Sequence, residues 1–211
     1  RHSFPTRRSS DLIIVFSLFL ASCGQKAKKP VLFELLRKES TGLDFMNELH
    51  QSGEFNVFNY MYFFNGGGVG AGDFNNDGLV DLYFTNNMGP NRMFLNQGKL
   101  KFNDVTDQAG VAGMEGWTSG ISVVDLNDDG LLDLYVGQMG EYQSIHGRNQ
   151  LFICTGIDNG VPHYEDRAAA YGLDLKGFAT QAAFFDYDLD GDLDMFQLNH
   201  SLHQNGTFGP K

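Results

Sequence analysis

Downstream of residue 60 the apolar positions fall in short runs of strand length, separated by acidic turns that contain glycine. Leu82 to Phe84, Leu134 to Val136 and Met195 to Leu198 follow three such turns, and Ile121 to Val124 and Ala182 to Phe185 precede the second and third. Runs rich in Tyr, Phe, Val and Ile, bounded by Asn, Asp and Gly, predict half-buried strands joined as hairpins. The residues just before each turn are small: Gly66, Gly67, Gly68, Gly70, Ala71 and Gly72, then Ser119, Gly120 and Ser122, then Ala179, Ala182 and Ala183. Strands carrying so little side-chain bulk are predicted where backbones crowd together.

The three turns share one pattern. Asp73-Phe74-Asn75-Asn76-Asp77-Gly78-Leu79-Val80-Asp81, Asp125-Leu126-Asn127-Asp128-Asp129-Gly130-Leu131-Leu132-Asp133 and Asp186-Tyr187-Asp188-Leu189-Asp190-Gly191-Asp192-Leu193-Asp194 begin 52 and then 61 residues apart. Their surroundings repeat as well. Gly116-Trp117-Thr118-Ser119 matches Gly177-Phe178-Ala179-Thr180 upstream. Asn91-Arg92-Met93-Phe94 matches Asn149-Gln150-Leu151-Phe152 downstream, and Ala109-Gly110-Val111 matches Tyr171-Gly172-Leu173 further on. A period of this length is that of one four-stranded β-propeller blade with its loops. The expected fold is all-β, a partial β-propeller. A closed propeller needs at least about four blades, so three turns predict part of a longer protein.

Each turn sets oxygen-bearing side chains at positions 1, 3, 5 and 9 and glycine at position 6. Ca²⁺ takes six to eight oxygen ligands, and alternate Asp or Asn residues in a tight turn can converge on one ion. Glycine at position 6 permits the sharp bend. The candidate ligands are Asp73, Asn75, Asp77 and Asp81; Asp125, Asn127, Asp129 and Asp133; and Asp186, Asp188, Asp190 and Asp194, with the position-7 carbonyls of Leu79, Leu131 and Asp192. Without a cation, so many carboxylates in nine residues repel one another. An EF-hand loop starts in the same way but ends in Glu at position 12 between helices. Here position 12 is Phe84, Val136 or Gln197, and the flanks read as strands. Asp-Gly is also an ordinary hairpin-turn sequence, a weaker account of three copies at blade spacing.

The N-terminus changes the picture of where the protein works. Arg7 and Arg8 precede the apolar run Leu12 to Leu20, which is too short to span a bilayer of ~30 Å but has the length of a signal-peptide core. Residues 1–22 are expected to be a signal peptide, although the first ten lack an initiation context. Leu20-Ala21-Ser22-Cys23 resembles the lipobox of bacterial lipoproteins, which implies a lipid on Cys23 and a location in the bacterial cell envelope, membrane-anchored and extracytoplasmic. Residues 23–40, with Lys26, Lys28 and Lys29, are then a tether, and 41–211 the N-terminal part of the propeller. Cys154 is the one other cysteine, so no disulfide framework is expected.

The formal net charge is −11, with much of the acidic excess in the three turns, which argues against nucleic acid as a partner. Gly66-x-Gly68-x-x-Ala71 leads into an acidic turn and not into a helix, so it is no dinucleotide fingerprint. His50, His146, His163, His200 and His203 lack metal-ligand spacing, and His200 and His203 read as surface polar residues. Trp117 and Phe178 hold equivalent positions and read as core. Asn199 and Asn205 head formal glycosylation sequons that carry little meaning in a bacterial lipoprotein. No nucleophile elbow of the G-x-S-x-G kind is present, and an enzyme is not expected.

Gly68-Val69-Gly70-Ala71-Gly72-Asp73-Phe74-Asn75-Asn76-Asp77-Gly78 and its two counterparts resemble FG-GAP/VCBS repeats, the blades of integrin-α-type β-propellers. Thr41 to Tyr60 resembles the lead-in of cartilage-acidic-protein-like members. The resemblance implies four-stranded blades whose hairpin loops hold calcium. On this basis the expected function is a calcium-binding, membrane-anchored module that adheres to a glycan or protein ligand. The alternative is the scaffold portion of a larger polysaccharide-acting hydrolase or lyase whose active site lies further along the chain.

Overall fold

Two successive four-stranded antiparallel meanders and a hairpin make up a computed structural model that describes residues 32–201. The expected signal peptide, residues 1–22, together with Cys23, His203 and the Asn205 sequon, lies outside the described residues. The chain divides into two units, 1–35 and 36–211. Of the first, the described residues Leu32, Phe33 and Leu35 are exposed.

The first sheet contains β1 (Val69–Gly72), β2 (Asp81–Phe84), β3 (Arg92–Asn96) and β4 (Phe102–Asp104) in that spatial order. The second contains β5 (Trp117–Val124), β6 (Asp133–Met139), β7 (Gln150–Asp158) and β8 (Val161–Asp166). The third pairs β9 (Ala179–Phe185) with β10 (Asp194–Asn199). Two single-turn helices, α1 (Lys38–Thr41) and α2 (Thr106–Ala109), both end at glycines in the left-handed conformation, Gly42 and Gly110. The register repeats too: Gly72 faces Asp81, Val124 faces Asp133 and Phe185 faces Asp194. Position 9 of each acidic turn is therefore the first residue of a strand, and positions 1 to 8 form the hairpin loop.

Every residue of β6 is buried, because the second sheet is covered on both faces. Side chains alternate along a strand. Leu134 and Val136 join Phe152, Cys154 and Tyr164 against Phe74, Tyr83, Met93 and Val111 of the first repeat. Tyr135 points the other way and joins Leu151, Ile153 and Ala182 against the β9–β10 hairpin. In a strand sandwiched like this the apolar residues run together, as Leu134 to Val136 do, and do not alternate with polar ones.

The small residues of the inner strands have a measurable reason. A Cβ on Gly120 would lie 2.1 Å from the Thr180 carbonyl oxygen, and one on Gly70 would lie 2.8 Å from Cγ2 of Val123. Hydroxyls seal the same seams, with Thr85 Oγ1 donating to Ser119 O at 2.6 Å and Ser122 Oγ donating to Ala182 O. Gly120→Ala is expected to lower stability by about 1–3 kcal/mol through overpacking. Urea unfolding of the variant checks this, and an unchanged midpoint would contradict the close approach.

The strand directions put the acidic loops and the β3–β4 and β7–β8 hairpins at one end of the sheets. The β2–β3 and β6–β7 connections lie at the other end. There the lead-in, residues 45–68, buries Phe55, Tyr60 and Phe63 around Trp117 and Met139. Phe55 meets Trp117 edge to face with ring centroids 4.9 Å apart.

Candidate metal centre

The three acidic loops fold alike because their own carboxylates hold their own backbone. At position 1, Asp73 accepts the N–H groups of Asp77 (3.0 Å) and Gly78 (2.8 Å), Asp125 those of Asp129 (3.1 Å) and Gly130 (2.8 Å), and Asp186 those of Asp190 and Gly191 (both 3.1 Å). At position 5, Asp77, Asp129 and Asp190 accept the N–H of position 7 at 2.8, 2.8 and 3.2 Å. Position 4 is left-handed throughout, with φ of 55° at Asn76, 56° at Asp128 and 63° at Leu189. Asn and Asp tolerate that conformation, whereas Leu is strained in it. Gly78, Gly130 and Gly191 take φ of 87°, 82° and 101° at position 6, as the bend requires.

Position 9 has a second duty that the spacing did not suggest. Asp81 is fully buried and accepts Phe74 N–H at 2.9 Å and Asn96 N–H at 2.7 Å, one on each oxygen. Asp133 repeats this with Leu126 N–H at 3.0 Å and Cys154 N–H at 2.8 Å. Each ties its loop to the third strand of its sheet. Asp194 accepts Tyr187 N–H at 2.9 Å and is exposed, as its sheet has no third strand among the described residues.

Loss of hydration raises the carboxyl pKa of Asp81 and Asp133 above the usual carboxylate value. The two N–H donors of each pull the other way, and the position-1 and position-5 aspartates push it further up. In the third loop Asp192 is raised chiefly by its hydrogen bond with Asp190, and Asp190 is correspondingly lowered. These are the signs of anions crowded together.

The oxygen atoms of the loops bear on whether a hard cation fits. In the first loop Asn75 Oδ1 is sealed from solvent and accepts no hydrogen bond, a buried acceptor facing loss of its hydration. In the third loop Asp186, Asp188 and Asp194 bring carboxylate oxygens within 4.8 Å of one another. Converging carboxylates in the third loop and an unsatisfied acceptor in the first suit Ca²⁺, so the residues of these two loops fit the ion, whereas in the second Asn127 Oδ1 accepts Asp129 N–H at 3.3 Å. The structure gathers Asp73, Asn75, Asp77 and Leu79 into one loop, Asp125, Asn127, Asp129 and Leu131 into the next, and Asp186, Asp188, Asp190 and Asp192 into the third. Asp81, Asp133 and Asp194 stand at the strand edge of each.

Repeated buried groups escaped the sequence reading. Asn91 Oδ1 accepts Asn86 N–H at 2.9 Å, and Asn149 Oδ1 accepts Gln138 N–H at 2.8 Å, closing the β2–β3 and β6–β7 turns. Tyr83 OH donates to Val111 O at 2.8 Å, and Tyr135 OH to Leu173 O at 3.3 Å. Burial raises both phenols, Tyr135 to about 12. The matched Asn91/Asn149 and Val111/Leu173 positions were the available signal.

His200 corrects an expectation. It is not a freely solvated surface residue, for its Nε2 lies 2.9 Å from Tyr60 OH and its ring lies 4.4 Å from that of Tyr62 and 5.2 Å from that of Phe178. Desolvation lowers its pKa. Trp117 is core, as read. Beside this cluster a groove of ≈ 390 Å³ is lined by Ser52, Phe55, Glu115, Trp117, Ser144 and His146, with others.

Residues 73–136 match the model of the FG-GAP-like repeat. The chain therefore carries an FG-GAP-like repeat, of which the first two acidic loops are part. It is also similar to cartilage acidic protein 1 of Homo sapiens, 30% identical over 138 residues that make up 64% of this chain and 20% of that protein. The proteins of that name from Mus musculus and Xenopus tropicalis match at the same identity and cover, with 21% of each spanned. The chain thus spans about a fifth of the length of the curated relatives it matches.

Proposed function

We propose that this chain is part of a calcium-stabilised β-propeller that serves as a binding module for a glycan or protein, held at a bacterial cell envelope through Cys23. The observation that carries the reading is Asn75 Oδ1, a buried acceptor with no donor, inside a loop geometry that occurs three times. Calcium supplies the positive charge that the crowded carboxylates call for. The side chains at positions 1, 3, 5 and 9 and the position-7 carbonyls would hold it. With the acidic end devoted to cations, ligand recognition falls to the opposite end. The groove there combines the Glu115 carboxylate and His146 imidazole with Ser52 and Ser144 hydroxyls, groups suited to a polar ligand such as a saccharide. Anchoring rests on the Cys23 context alone, and the role is binding and not catalysis.

Calorimetric titration of the chain with CaCl₂ tests the reading. Uptake at three sites is expected, with dissociation constants of ~10⁻⁴ to 10⁻³ M as in extracellular modules. Absence of calcium heat at millimolar concentration would overturn it. The third loop offers a fourth ligand carboxylate at Asp188, so it is expected to be the tightest site, and Asp188→Asn to weaken that site alone. Equal affinities before and after the substitution would remove the ranking.

A further inference from the structure

The first acidic loop reaches out of its own repeat at two points. Asn76 Nδ2 donates to the carbonyl of Gly130 at 3.3 Å, and Asn75 Nδ2 to the carbonyl of Gly160 at 3.1 Å. Gly130 is the position-6 hinge of the second loop, and Gly160 lies in the turn between β7 and β8. Both bonds cross from the first sheet to the second. Neither uses a carboxylate.

The Gly130 contact joins the two loops in series. The Gly130 carbonyl is held by Asn76, while the Gly130 N–H is held at 2.8 Å by Asp125, the position-1 candidate ligand of the second loop. Fixing that residue from outside pre-orders the loop around it, and a site that is already ordered loses less entropy on filling. The Asn75 contact works in the same direction. A planar amide that gives Nδ2 to Gly160 must turn Oδ1 away from it, and this Oδ1 is the sealed, unpaired acceptor of the first loop.

Among the described residues the second loop has no such reach toward the third. Asn75 and Asn127 both donate within their own loops, to Asp77 at 3.1 Å and to Asp129 at 2.9 Å, but only Asn75 also reaches a carbonyl of the next repeat. Position 4 is a carboxylate at Asp128 and a hydrocarbon at Leu189, and neither has an N–H to give.

From these contacts we infer that the first and second loops fill cooperatively, coupled through Asn76, while the third fills on its own. The inference rests on the calcium reading above and adds to it a contact between sites made by Asn76, which at position 4 is not a candidate ligand. Coupling is reciprocal, so each of the two sites strengthens the other by the same factor.

The test is a double-mutant cycle on the full chain, with the third loop silenced by Asp188→Ala throughout. Calorimetry measures calcium affinity at the first loop with the second intact or silenced by Asp129→Ala, each with Asn76 or with Asn76→Gly, which keeps the left-handed backbone and removes the donor. Silencing the second loop is expected to weaken the first by about fivefold or more when Asn76 is present, in the usual range of coupled sites. Less than about twofold weakening is expected in the Asn76→Gly chain. Equal weakening in both backgrounds, or none in either, overturns the inference while leaving calcium binding in place. Failure of every variant to take up calcium overturns both readings. Should Asp129→Ala perturb folding, hydrogen exchange at the Gly130 amide in the otherwise unsubstituted chain decides the matter. With calcium enough to fill both loops, that amide is expected to be less protected in Asn76→Gly than in the parent, and equal protection counts against the coupling.

Discussion

Asp133→Ala is expected to destabilise the protein by about 2–5 kcal/mol in calcium-free buffer, before any question of metal binding arises. Its two oxygens satisfy the N–H groups of Leu126 and Cys154, and the side chain is fully buried. Removing it leaves two buried donors without acceptors, each at about 1–3 kcal/mol. Water entering the small void recovers part of that. Asp129→Ala in the same loop removes a side chain that is exposed. Its effect without calcium is expected to stay within about 1 kcal/mol, and to appear chiefly when calcium is added. Asp133→Asn falls between, because an amide has one oxygen to accept with and would turn its own donors toward the second N–H. Chemical denaturation of the three variants with chelator present checks the order. Similar losses for Asp129→Ala and Asp133→Ala would show that position 9 acts only as a ligand and not as a splice between loop and strand.

That distinction marks where the sequence could be read and where it could not. The acidic turns were legible because their determinants are local: alternate oxygens and a glycine at position 6 lie within nine residues, whereas the left-handed position 4, with Leu189 in the third loop, appeared only in the structure. The strands were legible for the same reason, and Met195 to Leu198 lies within the observed β10. Position 9 looked like one more ligand, because Asp81 and Asp133 meet Asn96 and Cys154 only after the third strand folds back, 15 and 21 residues later.

The lead-in was harder still. Phe55, Tyr60 and Phe63 belong to no strand and follow no period, so nothing in their spacing announces that they close over Trp117. His200 drew its setting from Tyr60, 140 residues earlier. Such contacts are decided by topology, which brings the ends of successive inner strands together at one end of the sheets. The bridge between Met139 and Phe178 is the local trace of that convergence. The repeat alignment had already placed Trp117 and Phe178 in register, so the neighbourhood was implied even though its occupants were not.

Removal of calcium is expected to lower the melting temperature by roughly 10 °C. A ligand at tenfold its dissociation constant stabilises the fold by ~1.4 kcal/mol per site, so three sites give about 4 kcal/mol. In a domain of about 200 residues each kcal/mol moves the midpoint by about 2–4 °C. The effect should be large for a physical reason visible in the loops. Without the ion, Asp81 and Asp133 are held buried, with their pKa raised by lost hydration and by the neighbouring carboxylates, and a cation reverses the sign of that neighbourhood. Magnesium at equal concentration is expected to restore less, since it demands tight octahedral geometry and gives up water reluctantly. Differential scanning calorimetry with CaCl₂, MgCl₂ and excess chelator separates these cases. If the first two loops are joined through Asn76, the calcium-dependent part of the transition should sharpen as well as shift, and Asn76→Gly should broaden it while every ligand stays in place. Superimposable melts in calcium and chelator would mean that the backbone N–H groups alone satisfy these carboxylates, and that the acidic loops are turns and nothing more.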